Sequence, residues 1–183
     1  MSTVYERRVE QEWRLLQALA ESNPTIVGSA KKEATENGSS FDFDLHGTEA
    51  VIKVLDGFQI HSDHKVSLHF PAFFPSMPIE ASLAQPVFHP NIHPATGFVC
   101  LWGRFSAGDT VIEAFAQLQR IVTWKLLNRE SEHIMQPAAL MWFDDPARSV
   151  SLPLRCQPIN VPRALLLQRK YRNPPENLRR RLS

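Results

Sequence analysis

The chain has 183 residues, of which 43% are hydrophobic, enough for one domain with a sizeable buried core. No apolar run approaches the roughly 20 residues that span a bilayer, and the polar, charged start from Met1 to Glu12 is unlike a signal peptide. These features argue against a membrane or secreted protein, so we expect a cytoplasmic one.

The formal net charge of +1 hides an uneven distribution. The 29 residues from Arg155 onward carry eight Lys or Arg and one acid, Glu176, for a net charge of +7, whereas the remaining 12 basic and 18 acidic residues give −6. A basic tail suits an acidic partner, an acidic body of the same protein, or nucleic acid. We disfavour nucleic acid because Tyr171 is the one aromatic residue in the tail and no recognised module surrounds its arginines.

An amphipathic helix is predicted at the start of the chain, where apolar residues recur at spacings of three and four. They are Tyr5, Val9, Trp13, Leu16 and Ala20. Asn23-Pro24 ends this helix. Its outer face carries Arg7, Arg8 and Arg14, which residue type alone assigns to solubilising charge rather than to docking.

From Phe41 the apolar period changes to two, which predicts an antiparallel meander with one buried face. The apolar runs are 41–45, 52–54 and 66–70, and a short strand near 79–83 completes the sheet. Prolines between Pro71 and Pro94 then predict an extended segment at the surface, because each proline removes a ladder donor.

Helices follow the proline-rich segment. Thr110-x-x-Glu113 has the form of a capping box, and the apolar face behind it continues to Leu126. Pro137, a residue favoured at the first helical position, predicts a shorter helix to Phe143. A further candidate helix, from Pro162 to Tyr171, lies in the tail. We therefore divide the chain into a core domain, 1–150, and a basic, partly helical C-terminal extension, 151–183.

Cys100 and Cys156 are expected as free thiols in a reducing cytosol. Cys100 ends the stretch HPNIHPATGFVC, for which three interpretations compete. It is a small buried residue, a zinc ligand with His89 and His93, or a nucleophile. Zinc is disfavoured because a structural site normally has four ligands, often with a closely spaced cysteine pair, and none exists here. Local chemistry alone favours the buried residue and leaves the nucleophile open.

The order of motifs resembles that of the ubiquitin-conjugating enzymes. In that family an F-P-x-x-Y-P-x-x-P-P run leads into a strand, then a P-x-F-H-P-N-[IV] turn, then an I-C-L segment with the catalytic cysteine. The matching residues are Phe70, Pro71, Phe74, Pro75 and Pro78, then Pro86, Phe88, His89, Pro90, Asn91 and Ile92, then Gly97, Val99, Cys100 and Leu101. The resemblance covers about residues 5 to 143. It implies an α+β fold of this type: an N-terminal helix, a four-stranded antiparallel meander, and C-terminal helices packed on the sheet.

The resemblance also implies a function. Cys100 would accept a ubiquitin-like protein as a thioester from an activating enzyme and pass it to an amine of a protein acceptor. Asn91 would support the backbone near the cysteine or stabilise the oxyanion, and His89 would fix the turn. In this family the first helix contacts the activating enzyme, which makes Arg7 and Arg8 docking candidates. Neither a cofactor nor a metal is implied.

Departures from the family pattern affect the acid/base assignment. The loop before Cys100 is one residue longer than usual, and Trp102 stands where an aspartate is common. The family's acidic Asn-Pro-Asp-Asp-Pro loop is replaced by NRESEHIMQP, residues 128–137. Glu132 and His133 are therefore the acid/base candidates, with solvated loop residues as the alternative.

These departures resemble the divergent members found in bacterial ubiquitin-like conjugation operons with a role in antiviral defence. The alternative function is a non-catalytic module of the same fold that binds a ubiquitin-like protein. Retention of both Cys100 and Asn91 favours the enzyme.

Overall fold

The structure is a computed structural model that describes residues 3–148 and 150–162. Helices flank a central run of strands in the sequence. In chain order the elements are α1 (Val4–Ser22), β1 (Val27–Thr35), β2 (Gly38–Leu45), β3 (Ala50–Val54), β4 (Gly57–His61), β5 (His64–Pro71), β6 (Glu80–Leu83), β7 (Phe98–Val99), α2 (Val111–Val122), a 3₁₀ turn (Ser131–His133) and α3 (Pro137–Asp144). The predicted mixed α+β class is confirmed.

The helix α1 is closed at both ends by side chains. At its start Thr3 and Glu6 form a reciprocal capping box. At its end the side-chain amide of Asn23 donates to the carbonyls of Leu19, 2.7 Å away, and of Asn160, 2.9 Å away. The helix predicted over Tyr5 to Ala20 is confirmed.

The main sheet has the spatial order β1-β2-β5-β6-β7, with antiparallel neighbours throughout. β2 pairs directly with β5 along its whole length, from Gly38 opposite Pro71 to Leu45 opposite His64. The strand predicted at 52–54 therefore has no place in the meander, and it pairs with β4 in a separate hairpin. Instead, β1 is the additional strand and lies at the edge of the sheet beside β2. The sequence pattern did not predict β1, because Val27 is its one buried residue and its apolar residues do not alternate.

Two apolar clusters hold the domain together. The larger lies between the sheet and the helices, where Phe43 stacks on Phe115 of α2 with ring centroids 5.9 Å apart. The smaller is centred on Val51, Phe88, Trp124, Ala139 and Leu154. It joins the β3–β4 hairpin to α3 and to the turn after α2, and Phe88 binds the hairpin directly by donating its N–H to the carbonyl of Val51 at 2.7 Å.

α2 begins at the predicted capping box but ends at Val122, four residues before the expected end at Leu126. Trp124 has a φ of +61°, which breaks the helical path. The reversal carries its indole into the smaller cluster, 5.5 Å from the ring of Trp142. The free energy gained by burying the Trp124 side chain favours this reversal over a last helical turn. α3 begins at Pro137 as predicted.

The described part of the C-terminal extension packs on the core domain. Leu154 donates its N–H to the carbonyl of Thr123 at 2.9 Å, and Thr48 forms an antiparallel bridge with Cys156. The domain boundary near residue 150 stays a prediction. The predicted helix from Pro162 to Tyr171 lies outside the described residues apart from Pro162. Among the described residues no helix is long and apolar enough to cross a membrane.

A buried carboxylate links the two long helices. Glu12 is fully buried, and its carboxylate accepts hydrogen bonds from Arg8 at 3.0 Å and from the backbone N–H of Val111 at 2.8 Å. Val111 is the first residue of α2, so Glu12 satisfies one of the donors that a helix start leaves open. Arg8 in turn donates to the carbonyl of Asp109 at 3.2 Å.

We predict that Glu12→Ala lowers the free energy of unfolding by about 2–4 kcal/mol, because it leaves a buried N–H and a largely buried guanidinium without this carboxylate. Glu12→Gln keeps a hydrogen-bond acceptor at this position, so its free energy of unfolding should fall less. Urea denaturation measures both values. The exposed Glu21 on the same helix is the matched control, and Glu21→Ala should leave the midpoint unchanged. Equal losses at the two positions would contradict this account.

Candidate active site

The segment between Asn91 and Cys100 folds back on itself as a short hairpin. The backbone N–H groups of His93 and Gly97 bond within it, and Cys100 donates its own N–H to the carbonyl of Asn91 at 2.9 Å. Gly97 has a φ of +67°, and a β-carbon there would lie 1.8 Å from the carbonyl oxygen of Leu83. Only glycine fits this position. The hairpin thus accommodates the long loop and places Cys100 next to Asn91.

The side chain of Asn91 clamps the loop that follows α2. It is buried, and both hydrogens of its amide are used: they donate to the carbonyls of Asn128 at 2.8 Å and His133 at 2.9 Å. Its oxygen accepts the N–H of Asn128 at 2.9 Å. Since an amide has two donors, this geometry is that of loop support, and an oxyanion role would require one of these bonds to break.

The same loop is attached to the turn at two further points. The carbonyl of Pro90 accepts the N–H groups of Met135 at 2.8 Å and Gln136 at 3.2 Å. The side-chain amide of Gln136 donates to the carbonyls of Val87 at 2.9 Å and Ile92 at 2.7 Å. The loop 128–136 is therefore held against the His-Pro-Asn turn at its start and along its last four residues.

This attachment brings His133 onto Cys100. The Sγ atom of Cys100 lies 2.8 Å from Nδ1 of His133. Cys100 is partly exposed, and burial raises the pKa of its thiol above the ordinary value, against a smaller opposing effect of the backbone N–H of Trp102. A protonated thiol beside an imidazole nitrogen becomes a nucleophile by giving its proton to that nitrogen.

A carboxylate reaches the other side of the imidazole. Nε2 of His133 lies 3.3 Å from the carboxylate of Glu130, one 3₁₀ turn earlier in the chain. Glu130 was not among the residues singled out from the sequence, although its spacing of three from His133 is the signal for such a contact. Glu132 is exposed, and its pKa is lowered first by a hydrogen bond from its own backbone, then by Ser131. Its acid/base role stays a prediction.

His89 supports the turn from inside. Its side chain is completely buried, Nδ1 accepts the N–H of Asn91 at 3.1 Å, and the ring packs on Trp124 with centroids 4.4 Å apart. Nε2 faces the backbone of Leu126 without a hydrogen bond of good geometry. Burial lowers the pKa of His89 to about 3, so the ring is neutral at pH 7.

The residues considered for zinc do not converge. Nδ1 of His93 accepts the backbone N–H groups of Ala95 and Thr96, while His89 points into the core and Cys100 contacts His133. Over residues 3–148 and 150–162, these three side chains do not assemble into a metal-binding group.

The side chains of Arg8, Cys156 and Trp102 contact other parts of the domain. Arg7 is exposed on α1, whereas Arg8 bonds Glu12 and lies over the ring of Phe74, so their docking role stays a prediction. Cys156 is a free thiol 3.0 Å from the ammonium group of Lys125. Trp102 has a packing role, since its indole N–H donates to the carbonyl of Ile79 at 2.7 Å.

The buried neutral state of His89 predicts a pH-dependent stability. Below pH 6.5 the unfolded chain takes up a proton at this position and the folded chain does not until about pH 3, so stability falls as the pH falls. The loss is about 1.5 kcal/mol between pH 6.5 and 5, above the range where most carboxylates titrate. His64, also buried with a lowered pKa, adds in the same direction. His89→Gln should reduce the slope of unfolding free energy against pH, and an unchanged slope in this variant would contradict the prediction.

The raised pKa of Cys100 predicts how its alkylation varies with pH. In a Cys156→Ala variant, the rate of reaction with iodoacetamide should still be rising at pH 9, because the thiolate forms later than in an ordinary thiol. Mass spectrometry of quenched samples measures the rate. Cys100→Ala, which retains Cys156 alone, is the matched control for reagent and pH effects. A rate that reaches its plateau below pH 8 would refute the prediction.

The similarity of this protein to known proteins lies in its structure rather than in its sequence. No protein-family model and no curated protein match the sequence. The structure is similar to that of a protein from Trypanosoma cruzi described as a ubiquitin-conjugating enzyme, with a TM-score of 0.56 and 13% identity over 80% of this chain and 94% of that one. Human ubiquitin-conjugating enzyme E2 G1 is matched with a TM-score of 0.41 and 18% identity over 66% and 98%. On the first of these similarities, the chain has the fold of the ubiquitin-conjugating enzymes.

Proposed function

We propose that this protein is a ubiquitin-conjugating-type acyltransferase that carries a ubiquitin-like protein as a thioester on Cys100. One observation carries the proposal: the Cys100 thiol is in contact with His133, 2.8 Å away, on a loop held by the adjacent Asn91. A buried structural cysteine has no need of a base, and a module that only binds has no need of this pair.

In the loading step Sγ of Cys100 attacks the thioester carbonyl presented by the activating enzyme. The thiol proton moves to Nδ1 of His133, a C–S bond forms, and the bond to the donor sulfur breaks. The donor thiolate then takes up the proton. No cofactor enters this exchange, because one thioester replaces another.

In the discharge step the amine of a protein acceptor attacks the same carbonyl. His133 accepts a proton from the attacking nitrogen and returns one to the departing Sγ, which restores the starting state. Asn91 acts on this step by fixing the backbone of His133, so the base stays at hydrogen-bond distance from the sulfur. Glu132, exposed in the same turn, is the further acid/base candidate.

The partners follow from this reaction: a ubiquitin-like protein, an activating enzyme and a protein with an acceptor amine. Arg7 and Arg8 on α1 are the docking candidates for the activating enzyme, and Arg7 is the more exposed of the two. The loop at 128–137 is the departure that favours a bacterial conjugation system with an antiviral role, acting in the cytoplasm. The basic extension would contact one of these partners rather than nucleic acid or a membrane.

Thioester formation tests the proposal. Incubation with the activating enzyme, ATP and the cognate ubiquitin-like protein should give an adduct that reductant removes on a gel. Cys100→Ala should abolish it, whereas Cys156→Ala should not. No adduct from a demonstrably charged activating enzyme would overturn the proposal in favour of the non-catalytic binding module.

We also predict that His133→Ala and Asn91→Ala slow the discharge of a preformed thioester to a free amine by on the order of a hundredfold, because the base is lost or displaced. Single-turnover chase with excess lysine measures this rate. His93→Ala is the matched histidine control, because the ring of His93 bonds the backbone of its own loop rather than Cys100. Discharge rates in His133→Ala and Asn91→Ala equal to that of the parent would exclude His133 as the base.

A further inference from the structure

We propose that the same cluster is also a hydrolase, in which His133 activates water to release the acyl group from Cys100 and Glu130 orients His133. This activity shares the nucleophile of the proposed function but needs neither an activating enzyme nor a ubiquitin-like protein. Its substrates are thioesters and activated esters of small, unhindered acyl groups.

Three side chains form a continuous relay. Nδ1 of His133 lies 2.8 Å from Sγ of Cys100, and Nε2 lies 3.3 Å from the carboxylate of Glu130. When Nδ1 accepts the thiol proton, the neutral ring carries its own proton on Nε2, where the carboxylate accepts it. This thiol–imidazole–carboxylate order is the arrangement that cysteine and serine hydrolases use on unrelated folds.

Attack by water depends on the relay more than attack by an amine does. A lysine amine, with a pKa near 10.4, is a strong nucleophile once it loses its proton, and a thiolate leaves readily. Water is a far weaker nucleophile, and it gains most from a base that takes its proton in the transition state. A base in contact with the acyl-bearing sulfur stands where such a water must approach.

The relay is both held and accessible. The carbonyl of His133 is bound by Asn91, and Arg129 in the same loop makes a two-point ion pair with Asp144 of α3 at 2.6 and 3.2 Å. The side chain of His133 is only 18% exposed, whereas that of Glu130 is 65% exposed. Cys100 is itself partly exposed, so water has access to Nδ1 beside its sulfur, and the exposed carboxylate at the other side of the ring has a modest orienting effect.

The reaction balances without a further reactant. Sγ attacks the ester or thioester carbonyl, the C–S bond forms, the bond to the leaving group breaks, and the thiol proton passes through His133 to that group. Water then adds to the acyl carbon while Nδ1 takes its proton, the bond between carbon and Sγ breaks, and the proton returns to Sγ. The net change is hydrolysis of one ester or thioester to an acid and an alcohol or thiol.

The test uses the full chain with 4-nitrophenyl acetate. The parent should release a burst of nitrophenolate equal to the enzyme, followed by steady turnover, and mass spectrometry should place the transient acetyl group on Cys100. Cys100→Ala should lose both phases. His133→Ala should slow deacylation by about a hundredfold or more, and added imidazole should restore part of it. The Cys156→Ala variant should behave as the parent.

Glu130 is tested as a positioning residue. Glu130→Gln should slow deacylation by about threefold, Glu130→Asp should lose less because it keeps the carboxylate, and the charge-matched control Glu33→Gln on β1 should lose nothing. Circular dichroism and melting curves verify that each variant is folded. Failure of the parent to acetylate Cys100, or equal deacylation rates in the parent and His133→Ala, would overturn the proposal. Because no conjugation partner is present, either result is independent of the thioester test.

Discussion

The hydrogen bonds of one buried side chain, Asn91, support the rest of the site. Both N–H groups and the oxygen of its side-chain amide form hydrogen bonds with the loop after α2. Its backbone carbonyl accepts the N–H of Cys100. A single residue thus positions both Cys100 and the loop that carries His133. Because an unpaired buried amide is costly, the loop has one favourable arrangement rather than several.

The second apolar cluster explains why this clamp is rigid. Nδ1 of His89 accepts the backbone N–H of Asn91, and the His89 ring packs on Trp124. Trp124 in turn packs on the aromatic rings of α3. The β3–β4 hairpin covers the cluster from the far side, with Phe58 4.8 Å from Trp142. The β3–β4 hairpin, which lies between β2 and β5 in the sequence, therefore supports the turn beside Cys100, although the two segments are far apart in the chain.

Burial influences the protonation state of the cysteine. Burial raises the pKa of Cys100, so the thiol keeps its proton near neutral pH and depends on a base to lose it. His133 is in contact with the sulfur, whereas His89 is buried and neutral and serves the backbone. Two histidines that both contact Asn91 thus differ in burial and in the atoms they bond.

Local sequence determined much of this protein. Periodicity, a capping box and a proline at the first helical position were sufficient for the starts of α1, α2 and α3, and the resemblance carried by the proline run and the HPN turn made Cys100 and Asn91 candidates. His133 became a candidate, with Glu132, only because the loop at 128–137 departs from the family pattern. The tertiary structure decided which carboxylate meets His133, how α2 ends, and where the 52–54 strand pairs. Those features depend on contacts between segments distant in the chain. Asn91 bonds the carbonyls of Asn128 and His133 and so holds the turn in which Glu130 meets the ring. Trp124 reverses the backbone to reach a cluster built by the hairpin and α3. Periodicity reports one face of one element and carries no information about such contacts.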